Sequence, residues 1–250
     1  MDAMDLDALG ALALAAAREA GAALLAHRAA WSVIDEVQGR EVKVAADRKA
    51  EALILERLRA GSPWPILSEE TGWVEGDGGD LVWAVDPLDG SVNYINGFPH
   101  WGVSIALVRG RDPILGVVAL PQLDEVFAGI VGRGATLNGA PMSVSAVTDP
   151  NAGVLATGIP ARARVDEAGF ADFMRVMLAW RKVRMIGSAA AALAYVAAGR
   201  ADAYRETGSM LWDVAAGCAL VRAAGGRVEI LGDRLDAPLS VRADNGRVAA

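Results

Sequence analysis

The sequence predicts a mixed chain, α+β in its first half and α/β in its second. Three observations carry that expectation. Leucine and alanine recur at helical spacing over the first sixty residues, short β-branched runs separated by turn residues follow from Trp101, and strand-like and helix-like stretches alternate after about residue 145. The 250 residues include 53% hydrophobic and 22% charged side chains, ordinary for a well-packed globule and unlike a disordered chain.

Leu6 to Ala30 and Asp47 to Leu58 read as two long helices. The apolar run Ala8 to Leu25 is interrupted by Arg18 and Glu19, and Asp2, Asp5 and Asp7 stand where a basic leader would be. An amphipathic helix is expected, with neither signal peptide nor membrane span. Asp47 suits the N-cap of the second helix. Leu81 to Val85, bounded by Gly78-Gly79 and Pro87, reads as a buried strand that ends on Asp86, because a following proline keeps that residue extended. Pro65-Ile66-Leu67 reads as another short strand ending on Glu69 and Glu70. Gly102 to Val108, Pro113 to Ala119 and Glu125 to Ile130 suggest an antiparallel sheet. Beyond them come strands at 153–157, 183–186, 201–205 and 227–230, with helices at 170–180, 188–198 and 211–224. No low-complexity linker separates residues 1–145 from 146–250, so one rigid body with a site between the halves is expected.

The stretch Asp86-Pro87-Leu88-Asp89-Gly90-Ser91 is the most informative. Two carboxylates on one turn repel unless a cation lies between them, and hard divalent ions such as magnesium take oxygen ligands of this kind. Gly90 permits close backbone approach, and the Gly90 and Ser91 N–H groups can cradle a phosphate if a helical turn starts there. An Asx turn followed by a helix cap would use the same residues. The surroundings favour the metal: between Arg59 and Arg109 there is no Lys or Arg, but there are seven acidic residues, among them Glu69, Glu70, Asp86 and Asp89. Asp213 opens an Ala-rich helix, where a cap alone would account for it.

The net charge of -7 argues against a nucleic-acid partner held by its backbone, but not against an anionic substrate. Cys218 is the only cysteine, so no intrachain disulfide forms, and a core position in a reducing cytoplasm is expected. His27 and His100 have no paired His or Cys to make a zinc site and are assigned no chemistry. Trp83 and Trp212 flank candidate ligands and are expected to wall the site.

Taken in order, Ser68-Glu69-Glu70-Thr71, the DPLDGS segment at 86–91, Gly134-Ala135-Thr136-Leu137-Asn138-Gly139, Ile186-Gly187-Ser188-Ala189 and Trp212-Asp213-Val214-Ala215-Ala216-Gly217 resemble the inositol monophosphatase family of magnesium-dependent, lithium-sensitive phosphomonoesterases. The resemblance covers nearly the whole chain. It implies a layered α-β-α-β-α sandwich of the sugar phosphatase type, a homodimer and a small-molecule phosphate ester as substrate. It implies two Mg2+ ions, one on Glu69, Asp86 and the Leu88 carbonyl and one on Asp86, Asp89 and Asp213, with a third, weaker ion beside Glu69. Ser91 and Asp47 would orient the attacking water, Gly90 and Ser91 would hold the phosphate, and Ala189 and Glu206, with Asp89 and Asp213, would meet the substrate.

Two departures stand out: Val44-Ala45-Ala46 lies where relatives carry a nearby threonine, and Ser91 stands where threonine is common. The sequence also ends at Val248-Ala249-Ala250, where relatives often add a closing helix. Glu206 and the Asn93-Tyr94-Ile95-Asn96-Gly97 segment point to inositol 1-phosphate. Fructose 1,6-bisphosphate, 3′(2′),5′-bisphosphate nucleotides and histidinol phosphate are alternatives on the same scaffold. A non-catalytic binding or regulatory protein of this fold is the alternative of another class.

Overall fold

The computed structural model describes residues 5–38, 41–77, 79–160 and 166–248; the expectations above on Asp2, Gly78, Ala249 and Ala250 lie outside them. Helix α1, Leu6–Ala26, starts on Asp5, whose carboxylate accepts the N–H groups of Asp7 and Ala8. Its small residues Ala13, Ala16, Ala17 and Ala20 recur three and four apart and are buried with Leu24. The helix expected to reach Ala30 breaks at His27, whose ring stacks on Trp31 of the short helix α2, Arg28–Trp31. By length and composition α1 could cross a membrane. Here its buried face lies on helix α3 and on the first sheet.

Strands β1 (Ile34–Gln38) and β2 (Glu41–Val44) form an unforeseen antiparallel pair that leads into α3, Ala45–Gly61. Asp47 is not the cap of α3, as expected, but its third residue. The N-cap is Val44, which has no oxygen to offer, and the Asp47 Oδ2 accepts the Val44 N–H at 2.7 Å, the back-bonding half of a capping box.

The first sheet contains β3 (Ile66–Ser68), β4 (Gly72–Val74), β5 (Leu81–Asp89), β6 (Gly102–Arg109), β7 (Asp112–Leu120), β8 (Glu125–Ile130), β9 (Gly134–Leu137) and β10 (Ala140–Met142). Their order is β10-β9-β8-β7-β6-β5-β3-β4, antiparallel except for the parallel β3–β5 pair. Between β5 and β6 lies the short helix α4, Ser91–Asn96. Strand β5 does not stop before Pro87 as expected. Asp86 pairs with Ser104 and Asp89 with Gly102, so two residues of β5, Pro87 and Leu88, face only Val103. A bulge is where a strand tolerates a residue without N–H, and it re-aims the side chains beyond it.

The second half supplies β11 (Val154–Thr157), α5 (Glu167–Leu178), β12 (Lys182–Arg184), α6 (Ala189–Ala197), β13 (Ala203–Ser209), α7 (Leu211–Ala223), β14 (Arg227–Leu231) and the unforeseen β15 (Leu239–Asp244). The sheet order is β12-β11-β13-β15-β14, parallel through the first three strands. Helices α6 and α7 lie between the two sheets, α1 and α3 cover the outer face of the first, and α5 packs through Val176 near Leu155 and Ala203 of the second. The five layers are therefore α-β-α-β-α. Strand β5 is apolar at every position from Leu81 to Val85 because both its faces are covered: Trp83 and Val85 join the core under α1 and α3, and Val82 and Ala84 the core under α6 and α7. Trp83 thus does not wall the site. Its ring faces the N-terminal helices and its Nε1–H donates to Ser62 Oγ at 2.7 Å. Cys218 is a core residue of α7, and burial pushes its thiol up to about 12.

Small residues let the middle helices approach closely. A Cβ on Gly116 of β7 would lie 2.2 Å from the Ala216 carbonyl oxygen of α7, and one on Gly217 would lie 2.3 Å from Leu193 of α6. Backbone cannot retreat as a flexible side-chain tip can. Gly116→Ala is therefore expected to cost about 2 kcal/mol or more, measured by chemical denaturation; an unchanged midpoint would contradict this close packing.

Candidate active site

Three segments bring one carboxylate each to the same place. Glu69 lies in the turn between β3 and β4, its N–H bonded to the Val85 carbonyl. Asp86 stands at the bulge in β5, its Oδ1 accepting the Leu88 N–H at 2.9 Å. Asp213 is the third residue of α7, not its cap, and like Asp47 it reaches back, accepting the Met210 N–H at 2.7 Å. Oxygens of Glu69, Asp86 and Asp213 all lie within 4.8 Å of one another, a group able to hold a metal ion.

Asp89 is not in that group. Its Oδ2 accepts from Ser188 Oγ at 2.5 Å and from the Ala190 N–H at 2.7 Å, which seats the carboxylate on the N-terminus of α6. It still acts on the others through its charge.

The carboxylates line a cavity of about 360 Å³ together with Leu88, Gly90, Ser91, Ala189, Trp212 and Glu206. No Lys, Arg or His is among the described residues that line it. The electrostatics follow. Burial, then the charge of Asp47, raises Glu69 to about 8. Burial and the charges of Glu69, Asp89 and Asp213 hold Asp86 well above the usual carboxylate range. Burial followed by Glu69 does the same to Asp213. Asp89 is raised by burial to about 6, the Ser188 and α6 donors limiting the rise. A set of hard oxygen donors with no internal counter-charge fits a divalent cation.

The turn after Asp89 is shaped for close approach. Gly90 has φ 88 and caps α4, so Ser91 begins a helical turn as expected. A Cβ at Gly90 would lie 2.9 Å from the His100 carbonyl oxygen and 3.1 Å from that of Gly187, so only glycine fits. Asn93 ties the same two connecting segments together: its Nδ2 donates to the carbonyls of His100 at 2.6 Å and Ile186 at 2.7 Å. The His100 ring stands edge-on to Tyr195. Opposite, Glu206 on β13 lines the cavity, accepts from Ser209 Oγ at 2.7 Å and is raised, chiefly by burial. Gly158 makes room for it, since a Cβ there would lie 2.2 Å from Glu206 Oε2. Asp47 is buried, outside the described cavity lining, with its charge felt by Glu69.

Glu51 went unread in the sequence. It is buried, one turn after Asp47 on α3, and its two oxygens accept the Thr71 N–H at 3.0 Å and the Thr71 Oγ1–H at 2.5 Å, pinning the turn that carries Glu69. Its signal was the i,i+4 spacing from Asp47, which puts both acids on one helix face.

A profile of the inositol monophosphatase family matches residues 5–250. The chain belongs to the inositol monophosphatase family. An inositol-1-monophosphatase of Mesorhizobium japonicum is 38% identical over 239 residues, 92% of this chain and 88% of that protein. The Nus factor SuhB of Xylella fastidiosa is 42% identical over 217 residues, 85% of this chain and 78% of that one. Among solved structures, the inositol monophosphatase of Anabaena superposes with a TM-score of 0.84 at 35% identity, covering 98% of this chain and 93% of its own. Membership supports a phosphatase, and the acidic cluster is a group able to hold a metal ion.

Glu69 and Asp89 are raised above their ordinary values of 4.5 and 3.8, so without metal the folded state binds protons more tightly than the unfolded chain. Stability then falls as pH rises from about 4 to about 8. Melting curves of chelator-treated protein across this window should show a falling midpoint, with saturating divalent metal flattening the slope; a flat or rising midpoint without metal would refute the electrostatic account.

Proposed function

We propose that this protein is a Mg2+-dependent phosphomonoesterase that releases phosphate from inositol 1-phosphate. The observation that carries the reading is the Glu69, Asp86 and Asp213 group, which shares a cavity with the Gly90-Ser91 turn and no described basic side chain. Glu69, Asp86 and the Leu88 carbonyl would hold one ion, and Asp86, Asp89 and Asp213 a second, with a third, weaker one beside Glu69. When bound, such ions acidify water and neutralise charge on phosphate and leaving oxygen.

The protein's own groups do the positioning. Gly90 and Ser91 N–H groups, at the start of a helical turn, donate to phosphate oxygens. Ser91 Oγ orients the water on the side of the phosphorus away from the leaving alcohol, and Asp47, outside the cavity lining, would act on that water through Glu69, which feels its charge. Glu206 accepts a hydrogen bond from a substrate hydroxyl, Ala189 packs against the ring, and Asp89 and Asp213 face the ester from the phosphate side. Water replaces the alcohol at phosphorus directly, with no phosphoenzyme, and catalysis is mainly alignment and charge compensation. The halves 1–145 and 146–250 act as one rigid unit in a cytoplasmic homodimer, a reading that takes its support from the family resemblance. The expectation of no nucleic-acid partner rests on net charge alone. The relatives named Nus factor SuhB favour a second reading, a binding protein that keeps the fold without turnover.

Phosphate release from inositol 1-phosphate, fructose 1,6-bisphosphate, adenosine 3′,5′-bisphosphate and histidinol phosphate tests both. Chelator should abolish release, and Asp86→Asn or Asp213→Asn should lower kcat by about 100-fold or more, because a few kcal/mol of charge stabilisation goes with the ligand. No release from any ester at saturating Mg2+ would favour the binding protein. Mg2+ at about a hundred times its Kd should also stabilise the fold by about 2.7 kcal/mol, seen as a raised melting temperature; an unchanged melt would count against the metal site.

A further inference from the structure

Thr157, Gly158, Ile159, Pro160, Glu206 and Gly208 line the active-site cavity and also line a second one of about 960 Å³. The two therefore share a wall, with Glu206 on it. The second cavity lies between α5 and strands β11 and β13, and its chemistry differs from that of the first. Phe170, Phe173 and Met177 stand three and four residues apart on one face of α5, with Val176 beside them and Leu155 of β11 across the gap. At its edge an Arg205–Asp172 ion pair, 3.2 Å, gives one donor and one acceptor.

The first cavity, at about 360 Å³, must take the phosphate, the attacking water and any bound ions. A small polyol fits there beside them, and a longer alcohol has to extend beyond it. The second cavity adjoins the first along Glu206, so an alcohol that extends past this residue meets it. Walls of two aromatic rings and three aliphatic side chains suit a flat apolar group, which gains by stacking and by leaving water.

We infer that the enzyme accepts, besides a small polyol phosphate, phosphate monoesters whose alcohol ends in an apolar hydrocarbon aryl ring, unlike the polar rings of histidinol phosphate and adenosine 3′,5′-bisphosphate, the ring lying against Phe170 and Phe173 of α5. This rests on the phosphomonoesterase reading above and adds a substrate class to it.

The test compares 3-phenylpropyl phosphate with propyl phosphate in the full-length protein with Mg2+. The two esters share the reacting centre, so the ratio of their kcat/KM values is insensitive to partial misfolding. The phenyl ester should be favoured by about tenfold or more, as burial of one aromatic side chain implies. Phe170→Asp, at an exposed position, and Phe173→Ala should each bring the ratio close to one. In parallel, calorimetry with 3-phenylpropylphosphonate and propylphosphonate, which are not turned over, reads the same preference as binding. Equal kcat/KM values together with equal phosphonate affinities overturn the inference, and so does a preference that survives in both variants, because the ring then binds elsewhere. If no ester is hydrolysed, the phosphatase reading fails. The phosphonates then decide separately whether the cavity takes the ring.

Discussion

Mutual repulsion among buried carboxylates is the constraint around which this fold is arranged. Three negative groups within 4.8 Å of one another would each repel the next by on the order of 3 kcal/mol at an effective dielectric near 20. No described basic residue in the cavity relieves this. The chain concentrates unfavourable charge at one point and leaves neutralisation to protons or to metal. Stabilities of whole domains are only about 5–15 kcal/mol, so such a site must be held by a scaffold that has little freedom to spread.

The scaffold holds it by repeated use of one device. Asp47 and Asp213 are both third residues of helices whose N-caps, Val44 and Met210, have no oxygen to cap with, and both reach back to the cap N–H. The carboxylate is thereby fixed at the positive end of the helix while its other oxygen is not used by that bond. Asp89 is fixed by the same field from outside, by donors of α6. Asp86 is placed by a bulge and Glu69 by a turn that Glu51 clamps from α3. Five elements thus converge on and around one cavity, and each carboxylate is set there by short hydrogen bonds or a tight turn.

Much of this was legible in the sequence because the signals were local. Period-two and period-3.6 patterns gave the two long helices, the antiparallel strands and the alternating second half, and Pro87 with two flanking aspartates marked the strand that carries acids to the cavity. The misses were of long range. The bulge that carries β5 past Pro87 depends on its register with β6, and β15 is recruited as a strand only by pairing with β13 and β14. Trp83 lay next to a ligand in sequence, but alternation along β5 turned it to the opposite face of the sheet. Asn93 bonds to a carbonyl 93 residues away, which no local pattern can announce. The cap assignment of Asp47 failed by a few residues, because a capping box places the acid inside the helix and the cap residue before it.

The contact of Gly116 with the Ala216 carbonyl fastens α7 to the first sheet, so that Asp86 and Asp213 belong to one mechanical block. Glu206 and Thr157 belong to the second sheet, with Gly158 just past the end of β11, across the middle helices from it. A displacement of the second sheet therefore reshapes the cavity on the Glu206 side while the spacing of Asp86 and Asp213 stays as it is.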